Sequence, residues 1–351
     1  MQQFETPAPV AAVLDVPAGR LTGTADLSIH ATTAYGDITA RSLAIAANGL
    51  RKSYGDKVVL DGVDLAVPEG TIFSLLGPNG AGKTTTVQIL STLIPADGGA
   101  VEVAGHDLAR RPDDVRGAIG VTGQYSAVDK LLTGEENLLL MADLKHLSRR
   151  DGKRRAAELL DRFDLVDAAR KPAGTYSGGM QRRLDLAMTL VGDPRLIFLD
   201  EPTTGLDPRS RRSMWQIVRE LVASGVTIFL TTQYLEEADQ LADRIALLDH
   251  GRLIAEGTAE ELKRRIPGGH IELTFADAHV LDAAQRLLGA RIADPEALTL
   301  QVPSDGGVHA IRELLALLDE SSIDIDNLSV HTPDLDDVFL TLTGQQKETI
   351  R

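Results

Sequence analysis

Gly77 to Thr85 reads GPNGAGKTT, and residues of these types at this spacing can wrap a polyphosphate. The pattern GxxxxGK[ST] needs a strand before it and a helix after it. Ile72, Phe73, Leu75 and Leu76 form an apolar run before the loop, and a helix-like stretch, Thr84 to Leu93, follows. Glycines let the backbone close around phosphates with successive N–H groups turned inward, and the new helix adds the positive end of its dipole. Gly77, Asn79, Gly80, Gly82 and Thr85 then belong to the cradle, while Lys83 reaches the outer phosphates and the Thr84 hydroxyl suits Mg²⁺. The implied chemistry is binding of ATP or GTP.

The apolar run Leu196–Leu199 ends in Asp200-Glu201. Such a strand delivers two adjacent carboxylates to its C-terminal edge, where open α/β sheets place their ligands. Asp200 is suited to hold Mg²⁺ through water, opposite Thr84. Glu201, just past the strand, addresses a different atom and is assigned to polarise an attacking water as general base. Tyr176-Ser177-Gly178-Gly179-Met180-Gln181 opens a helix whose apolar residues are Leu184, Ala187, Met188 and Val191. Ser177, Gly178 and Gly179 make a second anion-binding helix start; taken alone, the same residues are equally an ordinary helix cap. One nucleotide needs one phosphate loop, so a second phosphate-reading site suggests contact from a second subunit.

About Ser42 to Leu76 reads as strands, with Val63, Leu65 and Val67 alternating with Asp64 and Ala66. About Leu131 to Leu190 is mainly helical, and Leu196–Leu199, Val226–Leu230 and Ile245–Leu248 read as buried parallel strands. A helix near Ser210–Ala223 between the first two gives a βαβ unit. Pro267-Gly268-Gly269 marks a linker. Strand-like Ile271–Phe275, Leu298–Val302 and Ile323–Val330 then alternate with helix-like Val280–Leu288 and Val308–Leu318. Thr332-Pro333 caps a last helix whose residues Leu335, Val338, Phe339 and Leu342 share one face, most simply packed on its own small sheet.

The 351 residues leave room for one large domain or two ordinary ones, and a hydrophobic fraction of 43% is normal for a chain with a sizeable core. The net charge of −15 argues against nucleic acid as a partner. Without cysteine there are neither disulfides nor thiolate metal sites. No run of about 18 apolar residues is present to span a bilayer. MQQFETPAPV lacks the basic start and apolar stretch of a secretory signal. A soluble chain is expected, with any membrane role passing through a partner.

In this order the motifs resemble those of the ATP-binding cassette (ABC) ATPases, over about residues 43–265. YSGGMQ resembles the family signature, with Met180 where many members have Gln; RLIFLDEP resembles the Walker B strand. GLDP, Gly205–Pro208, resembles the D-loop and brings Asp207 into the nucleotide set. Gln124, after strand-like Ala118–Thr122, matches the Q-loop glutamine that senses Mg²⁺ and couples to the transmembrane partner. Tyr54 in KSYGD matches the aromatic residue that stacks on adenine. One departure is Gln233 in TTQYLEEAD, where the family usually has a histidine contacting the γ-phosphate. Gln donates a hydrogen bond but cannot carry a proton's charge, so slower or less pH-dependent hydrolysis is expected.

TTQYLEEAD, VTGQYSAVDKLLTGEENL, AGTYSGGM and PDLDDVFLTLTG narrow the resemblance to the daunorubicin-resistance type, stand-alone ATPase subunits of exporters of hydrophobic antibiotics or lipids. It implies an α/β P-loop NTPase fold: an ABC-type nucleotide-binding domain with antiparallel β and helical subdomains over 43–265, and a small α+β accessory domain over 270–345. Residues 1–42 read as a flexible extension outside that pattern. ATP and Mg²⁺ are the implied cofactors. The implied partners are a separate polytopic membrane permease and a second nucleotide-binding subunit, docked head-to-tail so that Ser177, Gly178 and Gly179 meet the other subunit's ATP. The implied location is the cytoplasmic face of the membrane, with motion passed on through about Tyr125–Glu136. Two alternatives stay open: a soluble ABC ATPase acting on macromolecules, and an ATP-controlled switch without useful turnover.

Overall fold

The computed structural model describes residues 42–343 except 124–126, 267–268, 290–291, 305–306 and 332. The expected N-terminal extension, the Q-loop residue Gln124 and the Thr332 cap lie outside the described residues.

A long antiparallel pair, β1 (Leu43–Tyr54) and β2 (Lys57–Pro68), precedes β3 (Ile72–Leu76), the phosphate loop and α1 (Lys83–Leu90). β4 (Gly98–Val103) and β5 (His106–Asp107) join that pair in a four-stranded sheet of order β2-β1-β4-β5. α2 (Pro112–Ala118) leads to β6 (Ile119–Thr122), and α3 (Gly134–Leu144), α4 (Arg149–Arg162) and α5 (Gly178–Thr189) form a helical block. Then come β7 (Leu196–Asp200), α6 (Pro208–Ala223), β8 (Thr227–Thr232), α7 (Leu235–Leu241), β9 (Arg244–Asp249), β10 (Arg252–Gly257) and α8 (Ala259–Arg264).

The central sheet has the order β10-β9-β3-β8-β7-β6 and is parallel except at β10. β3, β7 and β8 are buried at every position, which explains their unbroken apolar reading: both faces of the sheet are covered. Ile197, Leu199, Ile228 and Leu230 face the helical block. Phe73, Leu75, Phe198 and Phe229 point the other way, toward α1 and the antiparallel sheet, and Phe73 stacks on Phe229 with ring centroids 5.6 Å apart. The two cores clamp the sheet whose C-terminal edge carries the chemistry.

The remaining chain builds a separate antiparallel sheet from β11 (His270–Thr274), α9 (Ala278–Leu288), β12 (Ile292–Asp294), β13 (Thr299–Pro303), α10 (Val308–Glu320) and β14 (Asn327–His331), with order β12-β13-β11-β14. Ile271, Leu273 and Leu300 of this sheet pack on Leu281, Ala284, Leu314 and Leu318 of α9 and α10. The last helix, α11 (Leu335–Thr343), corrects the expectation that it packs on this sheet. Leu335 and Val338 are buried with Leu76, Ile245, Leu247 and Leu262, in the core of the larger unit beside α7 and α8. The physical reason is occupancy: α9 and α10 already cover the apolar face of the small sheet. The stripe of α11 therefore finds its apolar partner at the β9 and α8 edge.

Candidate functional site

The phosphate loop leaves β3 under tight steric constraint. A Cβ at Gly77 would stand 2.2 Å from the Leu248 carbonyl oxygen, so no side chain fits there. Gly82 adopts φ +113, which L side chains rarely reach, and a Cβ there would meet Leu60 Cδ2 at 2.7 Å. Gly82 is the N-cap of α1 and makes no side-chain cap bond, which leaves the first-turn N–H groups for an anion. Asn79 and Gly80 are exposed at the loop tip, and Thr85 is half-buried in the first turn of α1.

Lys83 is only 4% exposed, and its Nζ donates to the carbonyls of Gly77 (2.7 Å) and Pro78 (3.1 Å). Glu201 Oε1 lies 3.8 Å away. Burial pulls the Lys83 pKa below the ordinary lysine value, and the Glu201 and Asp200 carboxylates oppose that shift. A buried ammonium so placed can attract an anionic ligand within its reach.

β7 lies next to β8, and β8 next to β3, so its end opens beside the loop. The Thr84 hydroxyl is 3.4 Å from Asp200 Oδ1, and Asp200 is 3% exposed. The Thr231 hydroxyl donates to the same oxygen. A hydroxyl and a carboxylate are hard oxygen donors, the kind that hold Mg²⁺ together with waters and substrate phosphates. The residues present fit that ion. Glu201 then turns the chain out of the strand at φ +50, a left-handed conformation costing a non-glycine residue about 1–2 kcal/mol. Its N–H donates to the Thr231 carbonyl at 3.0 Å, which helps hold the turn. Its Oε2 accepts from Thr204 Oγ1 at 3.4 Å, and the carboxyl faces Lys83.

Gln233 follows β8, one residue past Thr232, which pairs with Leu76 at the entry to the phosphate loop. It is half-buried. Tyr54 ends β1 opposite Lys57 and is 51% exposed, with Lys52 Nζ 5.6 Å from its ring centroid. The β2 residues Val59 and Leu60, near this hairpin tip, crowd the phosphate loop at Gly82.

Two expected nucleotide contacts are not joined to this cluster. Ser177 caps α5, accepting from the Met180 N–H at 3.3 Å, and Gly178 and Gly179 form its first turn. The cleft beside them, about 240 Å³, is lined by Asp164, Ser177, Gly179, Arg183, Arg209 and Ser210 among others, and by no phosphate-loop residue. Asp207 caps α6: its Oδ1 accepts from the N–H groups of Arg209 and Ser210, both at 3.0 Å, and its Oδ2 from Ser210 Oγ at 2.6 Å. The Ser210 hydroxyl and N–H bonds hold the Asp207 carboxyl below the usual range.

Three supporting residues were not read from the sequence. Thr231 orients Asp200, and its only sequence signal is a pair of threonines ending an apolar strand. Arg182 on α5 binds the carbonyls of Pro202 (2.8 Å), Gly123 (3.1 Å) and Asp200 (3.3 Å), tying the end of β6 to the end of β7. Glu237 on α7 is fully buried and accepts from Thr203 Oγ1 (2.9 Å) and Trp215 Nε1 (3.1 Å). It thereby links the helix after Gln233 to the loop after Glu201.

Comparison with known proteins gives the same arrangement of motifs a family. A family model described as ABC transporter matches residues 60–204. A daunorubicin resistance ATP-binding protein of Streptomyces coeruleorubidus is 50% identical over 311 residues, covering 87% of this chain and 96% of the relative. A doxorubicin resistance ATP-binding protein of Mycobacterium tuberculosis is 46% identical over 317 residues, covering 88% and 96%. Among solved structures, an ATP-binding subunit of an ABC transporter matches with a TM-score of 0.57 at 30% identity, covering 64% of this chain and 93% of its own. A dimeric ATP-binding cassette in a post-hydrolysis state with ADP and phosphate matches with a TM-score of 0.56 at 28% identity, covering 61% and 98%.

Proposed function

The chain belongs to the ATP-binding subunits of ABC transporters, and on that premise we propose that it hydrolyses Mg-ATP to drive a separate polytopic membrane subunit in exporting hydrophobic drugs, antibiotics or lipids. The observation that carries this reading is the meeting of Lys83, Thr84, Asp200 and Glu201 at one end of the parallel sheet. The cargo class is supported by the relatives' resistance to daunorubicin and doxorubicin.

On this reading the α1 N–H groups and Lys83 bind the outer phosphates, with Lys83 exchanging its carbonyl partners for phosphate oxygens. Thr84 and Asp200 hold Mg²⁺, which when bound neutralises phosphate charge. Glu201 takes the proton of the attacking water. Gln233 donates a hydrogen bond to a phosphate oxygen, Gln124 senses the metal, and Tyr54 stacks on adenine. Ser177, Gly178 and Gly179 of a second copy close over the γ-phosphate from the other side, in a head-to-tail dimer. ATP then joins two surfaces that hydrolysis releases, and this cycle moves the membrane subunit from the cytoplasmic face.

Tagged Glu201→Gln protein, trapped with Mg-ATP and purified from gently solubilised membranes, tests the assignment. Recovery of a polytopic membrane protein in equal amount is the expected result. Recovery in the soluble fraction with ribosomes or nucleic acid, and no membrane protein, overturns it in favour of a macromolecular factor.

A further inference from the structure

We propose that His270, Glu272 and His331 form a binding site for one Zn²⁺-like divalent cation on the open face of the C-terminal sheet. β11 and β14 are antiparallel neighbours, and their register sets His270 directly opposite His331 and Glu272 opposite Ser329. Strand side chains alternate between faces, so His270, Glu272, Ser329 and His331 share one face. Ile271, Leu273 and Leu328 take the other, against α9 and α10. A facing pair plus the residue two along is a compact way for two strands to present three donors.

The donor atoms of His270, Glu272 and His331 all lie within 4.8 Å of one another. The two imidazoles stack with centroids 4.8 Å apart and planes 14° from parallel. Tetrahedral bonds of about 2.0–2.1 Å place donors about 3.4 Å apart, so side-chain rotation must close the set by little more than 1 Å. Neighbouring groups already orient the donors: Gln301 Nε2 donates to Glu272 Oε2 at 3.3 Å, and Ser329 Oγ lies 3.3 Å from His331 Nε2. Two neutral imidazoles and one carboxylate form a His₂Glu set, which selects a borderline cation over Mg²⁺ and leaves coordination positions for water.

The position gives the site a consequence. β11 follows α8, and β14 precedes α11; Leu262 of α8 and Leu335 of α11 share the core of the larger unit. The histidine pair therefore stands where the chain enters and leaves the small sheet. A bound cation pins those two strand ends together.

The test is calorimetric titration of Zn²⁺ into the full-length, metal-free, nucleotide-free chain, with His270→Gln, His331→Gln and the distant His309→Gln as variants. One Zn²⁺ per chain at micromolar affinity or tighter is expected, weakened roughly tenfold or more in the first two variants and unchanged in the third. A second measurement uses the native chain alone: Zn²⁺ should protect His270 and His331 from carbethoxylation, as mapped by mass spectrometry, at the same concentration. Binding only in the millimolar range, equal affinity in all variants, or no protection of the pair overturns the proposal.

Discussion

Thr84 and Asp200 are 116 residues apart in sequence, and the Thr84 hydroxyl lies 3.4 Å from the Asp200 carboxylate. The pair joins the start of α1 to the end of β7 across the sheet, because β8 sits between β3 and β7 and Thr231 at its end bonds Asp200. This gives a hydroxyl and a carboxylate one shared approach to a metal. Asp200→Asn should raise the Mg²⁺ concentration for half-maximal ATPase activity by roughly 10–100-fold, as losing a water-mediated ligand does elsewhere. An unchanged Mg²⁺ dependence would remove Asp200 from the metal site.

Glu237 should make stability fall as pH rises above 4.5. Burial raises its pKa above the ordinary 4.5, against the bonds from Thr203 and Trp215 and the facing charge of Arg211. The folded chain therefore keeps a proton that the unfolded chain gives up near 4.5. Its contribution is fully present below that value and is lost as pH climbs through the raised folded pKa. Glu237→Gln keeps an acceptor oxygen for Thr203 and Trp215 without ionising. Melting curves taken upward from about pH 4.5 should show a smaller fall in Tm with rising pH for the variant, and parallel profiles would count against the assignment.

Because α11 completes the core of the larger unit, Leu335→Ala should destabilise the ATPase unit itself. Leu335 is 3% exposed, and truncation of such a leucine costs about 2–5 kcal/mol. Thermal unfolding with and without ATP reads this directly. A drop in Tm that ATP partly restores is expected, whereas a loss confined to a transition that ATP does not affect would separate α11 from the nucleotide-binding unit.

Gln233→His should increase turnover and introduce pH dependence near neutrality, since imidazole adds a titrating group that an amide lacks. Steady-state rates across pH 6 to 8 test this, and a flat profile at the native rate would show that position 233 does not touch the reacting phosphate.

Much of this site was legible because its chemistry is local. The spacing from Gly77 to Thr85 fixes a loop by itself, and the apolar run before Asp200 announces a buried strand ending in carboxylates. The supporting contacts were not legible, because they depend on which strands become neighbours. Thr231 reaches Asp200 from 31 residues away, and Arg182 reaches the carbonyls of two strand ends. The face of α11 was visible in the spacing of Leu335, Val338, Phe339 and Leu342, but periodicity names a face and not its partner. The helix expected near Ser210 starts at Pro208, with Asp207 as its cap.

The most direct test of the account is single-turnover hydrolysis of Mg-ATP by the native chain and by Glu201→Gln, with bound nucleotide measured in parallel. A rate loss of about 10²–10⁴-fold with ATP still bound is predicted for a general base at the end of β7. Equal rates in the two proteins would contradict it, leaving a nucleotide-binding switch in place of an ATPase driven by Glu201.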